Sequence, residues 1–225
     1  MELPKNEKSD DSKVPNDDIS FEEFIEIGKK YLVIPLALIF VEIIYQILTA
    51  SQDTLAWIQV FEAKLWNSLN HIFYGPESST LVEHSSGLMT QVKLHNANFP
   101  EITNNTILLY VSDECAGVHE ILFISTLILL TPNVTKNIKL YSVAIMSVII
   151  FCLNMARLLV LYPLAVNGCK ENQGITNCEA PMMDFHTFVF EWGFLITLTV
   201  MWLIWYLIIN GMIIKKNTQT TNSEE

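Results

Sequence analysis

The chain has 225 residues, 51% of them hydrophobic and only 16% charged, with a mean hydropathy of +0.34. Soluble domains carry about 25% charged residues, so the composition places the chain among multi-pass membrane proteins. The net charge of −11 argues against a nucleic-acid partner, because no basic patch is present to neutralise phosphates.

Residues 1–26, MELPKNEKSDDSKVPNDDISFEEFIE, are acidic and poor in apolar side chains. They are expected to form a disordered cytoplasmic tail, and they lack the basic start, short apolar core and small-residue cleavage site of a signal peptide. A helix needs about 20 apolar residues to cross roughly 30 Å of hydrocarbon. Residues 31–50, 140–166 and 186–214 meet that length. Residues 116–131 are shorter and would reach only about 24 Å at 1.5 Å per residue. Lysines argue for the short span nonetheless. Lys29 and Lys30, Lys136 and Lys139, and Lys215 and Lys216 all fall on the cytoplasmic side when the chain crosses four times. The expected organisation is a membrane domain over residues 27–214 and a polar cytoplasmic tail over 215–225.

Two segments then face outward. In the first, residues 54–74 have helical periodicity. Leu55, Ile58, Phe61, Leu65, Leu69 and Ile72 share one stripe, while Gln59, Glu62, Lys64, Asn67 and Asn70 lie off it. This predicts an interfacial or re-entrant helix. Runs 88–94 and 106–111 are strand-like and bounded by Gly, Asn and Pro. They predict a small extracytoplasmic β-hairpin leading into a helix that starts near Cys115. In the second outward segment, Cys169 and Cys178 are nine residues apart. A disulfide is expected; a metal site is the alternative, although no local histidine pair completes a ligand set. The expected fold class is an all-α integral membrane helix bundle of about four spans with the interfacial or re-entrant helix and the hairpin added. No cofactor or metal is expected.

Ionisable residues at membrane depth are candidates for function. The stretch DECAGVHE, residues 113–120, places Asp113, Glu114, Cys115, His119 and Glu120 where an apolar helix begins. Arg157 lies about 26 Å up the third span from Leu140, and Asn154 shares its helix face. His186 opens the fourth span. With the lysine-assigned topology, Cys115, Arg157 and His186 meet at one depth on the outer side. A thiol becomes nucleophilic when a base or cation favours thiolate. His186 can take its proton and return it to a leaving amine, and Arg157 can stabilise an oxyanion. Gly117 would let the backbone approach a substrate closely. His119, four residues after Cys115 and expected on the same face of the same helix, is a rival base. Asp113 and Glu114 would oppose a thiolate unless they are paired. Cys152, in mid-span, is expected to pack. The chemistry of this set is acyl transfer through a thioacyl-enzyme.

CAG at 115–117, NMAR at 154–157 and His186 ahead of an apolar helix resemble the exosortase and archaeosortase family of membrane transpeptidases. By that resemblance Cys115 matches the Cys of a C-x-G motif, Arg157 the Arg of an N-x-x-R motif, and His186 a late histidine. The match covers roughly residues 80 to 205. Many family members are longer, with more spans, so this chain looks like a minimal core. The resemblance implies cleavage near a C-terminal sorting signal of exported proteins and transfer to a membrane lipid acceptor, at the plasma membrane with the site facing outside. It leaves the oligomeric state open. Two other readings of the same residues remain: an intramembrane cysteine protease that releases its product to water, and a non-enzymatic membrane assembly factor.

Overall fold

The computed structural model describes residues 21–51, 54–171 and 177–222, with side chains over 32–51, 54–171 and 177–212. Residues 1–20 of the expected acidic tail and the last three residues lie outside this set. The contacts divide the chain into two units, Met1–Val33 and Ile34–Glu225; the first contributes the start of α1, and the interactions below belong to the second. The element order is α1 (Phe21–Leu48), α2 (Ala56–Tyr74), β1 (Ser79–Val82), β2 (Gln91–His95), β3 (Thr106–Tyr110), α3 (Val118–Leu130), α4 (Lys136–Glu171), α5 (Ala180–Phe188) and α6 (Phe194–Asn222). Residues 21–26, expected in the tail, are thus the opening turns of α1. Residues 215–222 likewise continue α6.

Two helical segments are long and apolar enough to cross a membrane, Lys136–Glu171 and Ala180–Met212. Only 28% and 22% of their most apolar windows are buried, unlike the core helix of a water-soluble domain. The apolar parts of α1, Leu32–Leu48, and of α3, Val118–Leu130, are shorter. At 13 residues, α3 reaches only about 20 Å.

The strands differ from expectation. A third strand, β1, joins the two anticipated ones in an antiparallel sheet of order β1-β2-β3. Its four residues, STLV, are too few for an alternation signal. Val92 and Leu94 point inward from β2 and are fully buried, while α2 docks on β1 through Ser79. The Ser79 hydroxyl donates to Asn67 Oδ1 at 2.9 Å, and His71 Nε2 lies 2.7 Å from Ser79 O.

Helix α2 forms as its periodicity predicts, but its polar face is the buried one. Gln59, Glu62, Ala63, Trp66 and Asn70 go inside. The apolar stripe is half-buried or exposed, with Phe61 at 55% and Ile72 at 74% exposure. Such an orientation suits a helix whose outer neighbour is apolar rather than aqueous.

The long helix α4 is the spine against which α2, α3 and α5 pack. Pro163 lies inside it and has no N–H to bond the carbonyl of Leu159. The Tyr74 hydroxyl donates to that carbonyl instead, at 3.1 Å, so a freed backbone acceptor ties α2 to α4. One apolar cluster joins α2, the sheet, α4 and α5, and includes Trp66, Val92, Leu158 and Met182. A second joins α3, α4 and α6 around Ile124, Ile150 and Trp205. Cys115 belongs to the first.

Candidate active site

Cys115 sits in a 3-10 turn, Asp113–Ala116, between β3 and α3, and is 8% exposed. Gly117 ends that turn in the left-handed region, φ +66°, and starts α3. Only glycine adopts this conformation without penalty. A Cβ there would also lie 3.3 Å from Asn154 Nδ2. The glycine's close neighbour is therefore Asn154, where a substrate was expected.

The carbonyl of Cys115 is held from below by α4. Asn154 Nδ2 donates to it at 2.9 Å and Arg157 Nη2 at 3.3 Å. The residues are one helical turn apart, so a single face of α4 presents both. Arg157 is only 5% exposed. Its guanidinium lies over the Phe194 ring, 5.2 Å from the centroid, a favourable place for a cation. Its Nε and Nη1 have no protein partner among the described residues.

The imidazole comes from α5. His186 Nε2 lies 3.9 Å from Cys115 Sγ, a long contact of the kind that tightens when substrate binds. Between α5 and α6 runs a π-helical turn, Val189–Gly193. In an unbroken α-helix His186 and Phe194 would point about 80° apart. The inserted residue removes most of that difference, so the helix can direct His186 toward the thiol and Phe194 beneath Arg157. Cys169 and Cys178 are disulfide-bonded, with Cα atoms 4.5 Å apart, and close the connection from α4 to α5. The nearby Glu179 shares their neighbourhood, but the two sulfurs are committed to each other rather than to a metal.

Two expectations are corrected. His119 is not on a helix with Cys115, because Gly117 breaks the backbone between them. Its Nε2 pairs with Glu42 Oε2 at 2.5 Å, and its ring packs 4.9 Å from that of Tyr45. The imidazole within reach of the thiol is His186. Cys152, expected to pack, is exposed on α4.

Asp113, which could have opposed a thiolate, is engaged elsewhere. Its carboxylate accepts from the N–H of Leu55 at 2.8 Å and of Thr54 at 3.3 Å. It therefore serves the unsatisfied donors at the start of α2. The Tyr45 hydroxyl donates to the Asp113 carbonyl at 3.1 Å, fixing the turn from the side of α1.

Two site residues escaped the sequence reading. Ser112 Oγ donates to Cys115 Sγ at 3.4 Å. Glu62, fully buried on α2, accepts from Asn154 Nδ2 at 3.0 Å. Burial pushes its carboxyl up to about 7, against the opposing pull of Asn154 and Arg157. Glu62 was visible as a polar residue off the α2 stripe, but nothing local shows that this side of the helix faces inward.

Beside the thiol opens a cavity of about 260 Å³. Cys115 and His186 line it, together with Trp66, Leu158, Leu161, Met182 and residues of β3. The set can present a thiolate, accept its proton on His186, and hold a buried positive charge nearby. Comparison of the chain with family models, characterised proteins and solved structures finds no match.

Proposed function

We propose that the chain is a membrane-embedded cysteine transpeptidase of the archaeosortase and exosortase type, with four crossings and an outward-facing site. The observation that carries the reading is the approach of His186 Nε2 to Cys115 Sγ, 3.9 Å, beside a cavity that both residues line. The long-range contacts of Asn154 and Arg157 with the Cys115 carbonyl support it, since they hold the nucleophile's backbone.

In the reaction, Cys115 Sγ attacks the carbonyl carbon of the scissile peptide as its proton passes to His186. A C–S bond forms and the carbonyl oxygen takes the negative charge, within the field of Arg157. The tetrahedral intermediate collapses, the C–N bond breaks, and His186 returns the proton to the leaving amine. A hydroxyl or amine of a lipid acceptor then attacks the thioester, gives its proton to His186 and releases the thiol. By the family resemblance the substrate carries a C-terminal sorting signal.

Cys115→Ala is expected to abolish processing of an exported substrate while the chain still inserts at wild-type abundance. Normal maturation in that variant would refute the assignment. The mass of the product's new C-terminus separates transfer, which adds a lipid, from hydrolysis, which leaves a free carboxylate.

A further inference from the structure

Strand β3 is an edge, since the sheet order is β1-β2-β3. Its ladder phase identifies which backbone groups are unused. The Val111 N–H donates to Thr90 O, and Asn105 O accepts from the Asn96 N–H. Residues of an antiparallel strand alternate between pointing both backbone groups at the partner and pointing both away. The odd-numbered residues of β3 therefore bond to β2, and Thr106 and Leu108 turn their N–H and C=O groups outward.

That outward edge borders the cavity at the thiol. Leu108, Leu109 and Tyr110 all line it. Successive side chains of a strand point to opposite faces, so three consecutive residues line one cavity when it lies along the strand's edge. From there the chain runs directly into the turn bearing Cys115. Among the described residues, no carboxylate, lysine or arginine lines the cavity. A charged side chain entering it would be desolvated without a partner.

We propose that the β3 edge and this cavity form the docking groove for the polypeptide to be cleaved. The substrate lies against β3 as a fourth strand, exchanging backbone hydrogen bonds with Thr106 and Leu108, and an uncharged apolar side chain next to the scissile bond fills the cavity. The occupant follows from complementarity: the outward backbone groups of Thr106 and Leu108, without partners among the described residues, match an extended chain, the uncharged wall matches an apolar residue, and the groove is continuous with the thiol. The inference rests on Cys115 being the nucleophile.

The test uses the full-length protein in lipid nanodiscs and an acetyl-tetrapeptide vinyl sulfone, all alanine except for a leucine beside the warhead. The thiolate adds to the vinyl β-carbon and the α-carbon takes up a proton, so the Cys115 adduct is read by mass spectrometry. Two further probes carry N-methyl groups on alternate amides, one on each alternation, and a fourth has aspartate in place of leucine. Iodoacetamide, which needs no groove, reports the intrinsic reactivity of the thiol.

One N-methyl alternation should slow labelling about tenfold per lost hydrogen bond, the other should leave it nearly unchanged, and the aspartate probe should label slowest. Leu108→Pro removes only an outward N–H, which an edge strand tolerates. It should slow the peptide probe and spare iodoacetamide. If Cys115 reacts with every probe at one rate, or the rate follows hydrophobicity alone as for a lipid chain in the cavity, the docking proposal is overturned and the nucleophile stands. If neither iodoacetamide nor any peptide labels Cys115, the nucleophile assignment falls, and the groove with it.

Discussion

Glu62 is a carboxyl whose surroundings disfavour its charge. It is fully buried, its Oε1 holds Asn154, and its Oε2 has no protein partner among the described residues. Its carboxyl titrates near 7 in the folded chain and near its ordinary 4.5 when unfolded. The folded state therefore binds the proton more tightly, and stability from this group is present at acid pH and lost as pH rises from about 4.5 through about 7. The loss amounts to about 3 kcal/mol. Glu62→Gln keeps the acceptor for Asn154 and removes the titration. Thermal unfolding between pH 5 and 8 should show a falling midpoint in the wild type and a flatter profile in the variant; parallel profiles would place the Glu62 titration elsewhere. Cys115, Arg157 and His186 stood out in the sequence because each is rare within or beside a long apolar segment. Ser112 and Glu62 were not, because their roles depend on which face of a turn or helix the rest of the chain covers.

Among elements, the connection from α4 to α5 decides where His186 sits. Gly168 lets the end of α4 lie against the Cys178 backbone, since a Cβ there would meet the Cys178 carbonyl oxygen at 2.6 Å. The disulfide closes the same connection. A cross-link across nine residues restricts the unfolded chain by about 2–3 kcal/mol. The double variant Cys169→Ala/Cys178→Ala should lose that much stability and unfold at lower temperature, and its Cys115 should alkylate more slowly as the imidazole loses its position. Unchanged alkylation would show that packing of Met182 and Phe185 is enough to hold α5. Sequence spacing revealed this disulfide because its two cysteines share one short segment. The support of the Cys115 turn by Asp113 could not be read the same way, since its partners Thr54 and Leu55 lie 59 and 58 residues away. Strand β1 was hidden for a different reason: four residues of Ser, Thr, Leu and Val carry no period.

At the scale of the molecule, apolar surface covers the long helices, with Val148, Leu153, Leu195 and Leu207 all exposed. Water is a poor neighbour for such a surface, and two helices have the length and composition to cross a bilayer. The four-crossing topology proposed above puts the β1–β2 turn outside and the turn before α4 inside. Single cysteines at Ser85 and Asn137, in a chain lacking Cys115 and Cys152, should react differently with an impermeant maleimide on intact cells: Ser85→Cys labels, Asn137→Cys only after lysis. Labelling of both before lysis would break the topology. The lysine pattern carried this part of the reading, because charge asymmetry across a membrane is a property of loops and needs no tertiary contact to be seen.

The most direct test of the nucleophile is the rate at which iodoacetamide alkylates Cys115, with and without His186→Gln, in a chain that carries Ser85→Cys in the exposed β1–β2 turn as the internal reference. Cys115 should outpace the thiol of Ser85→Cys near neutral pH despite its burial, and should lose that lead when the imidazole is replaced. A Cys115 that reacts no faster than this reference, at a rate indifferent to His186, would contradict the account.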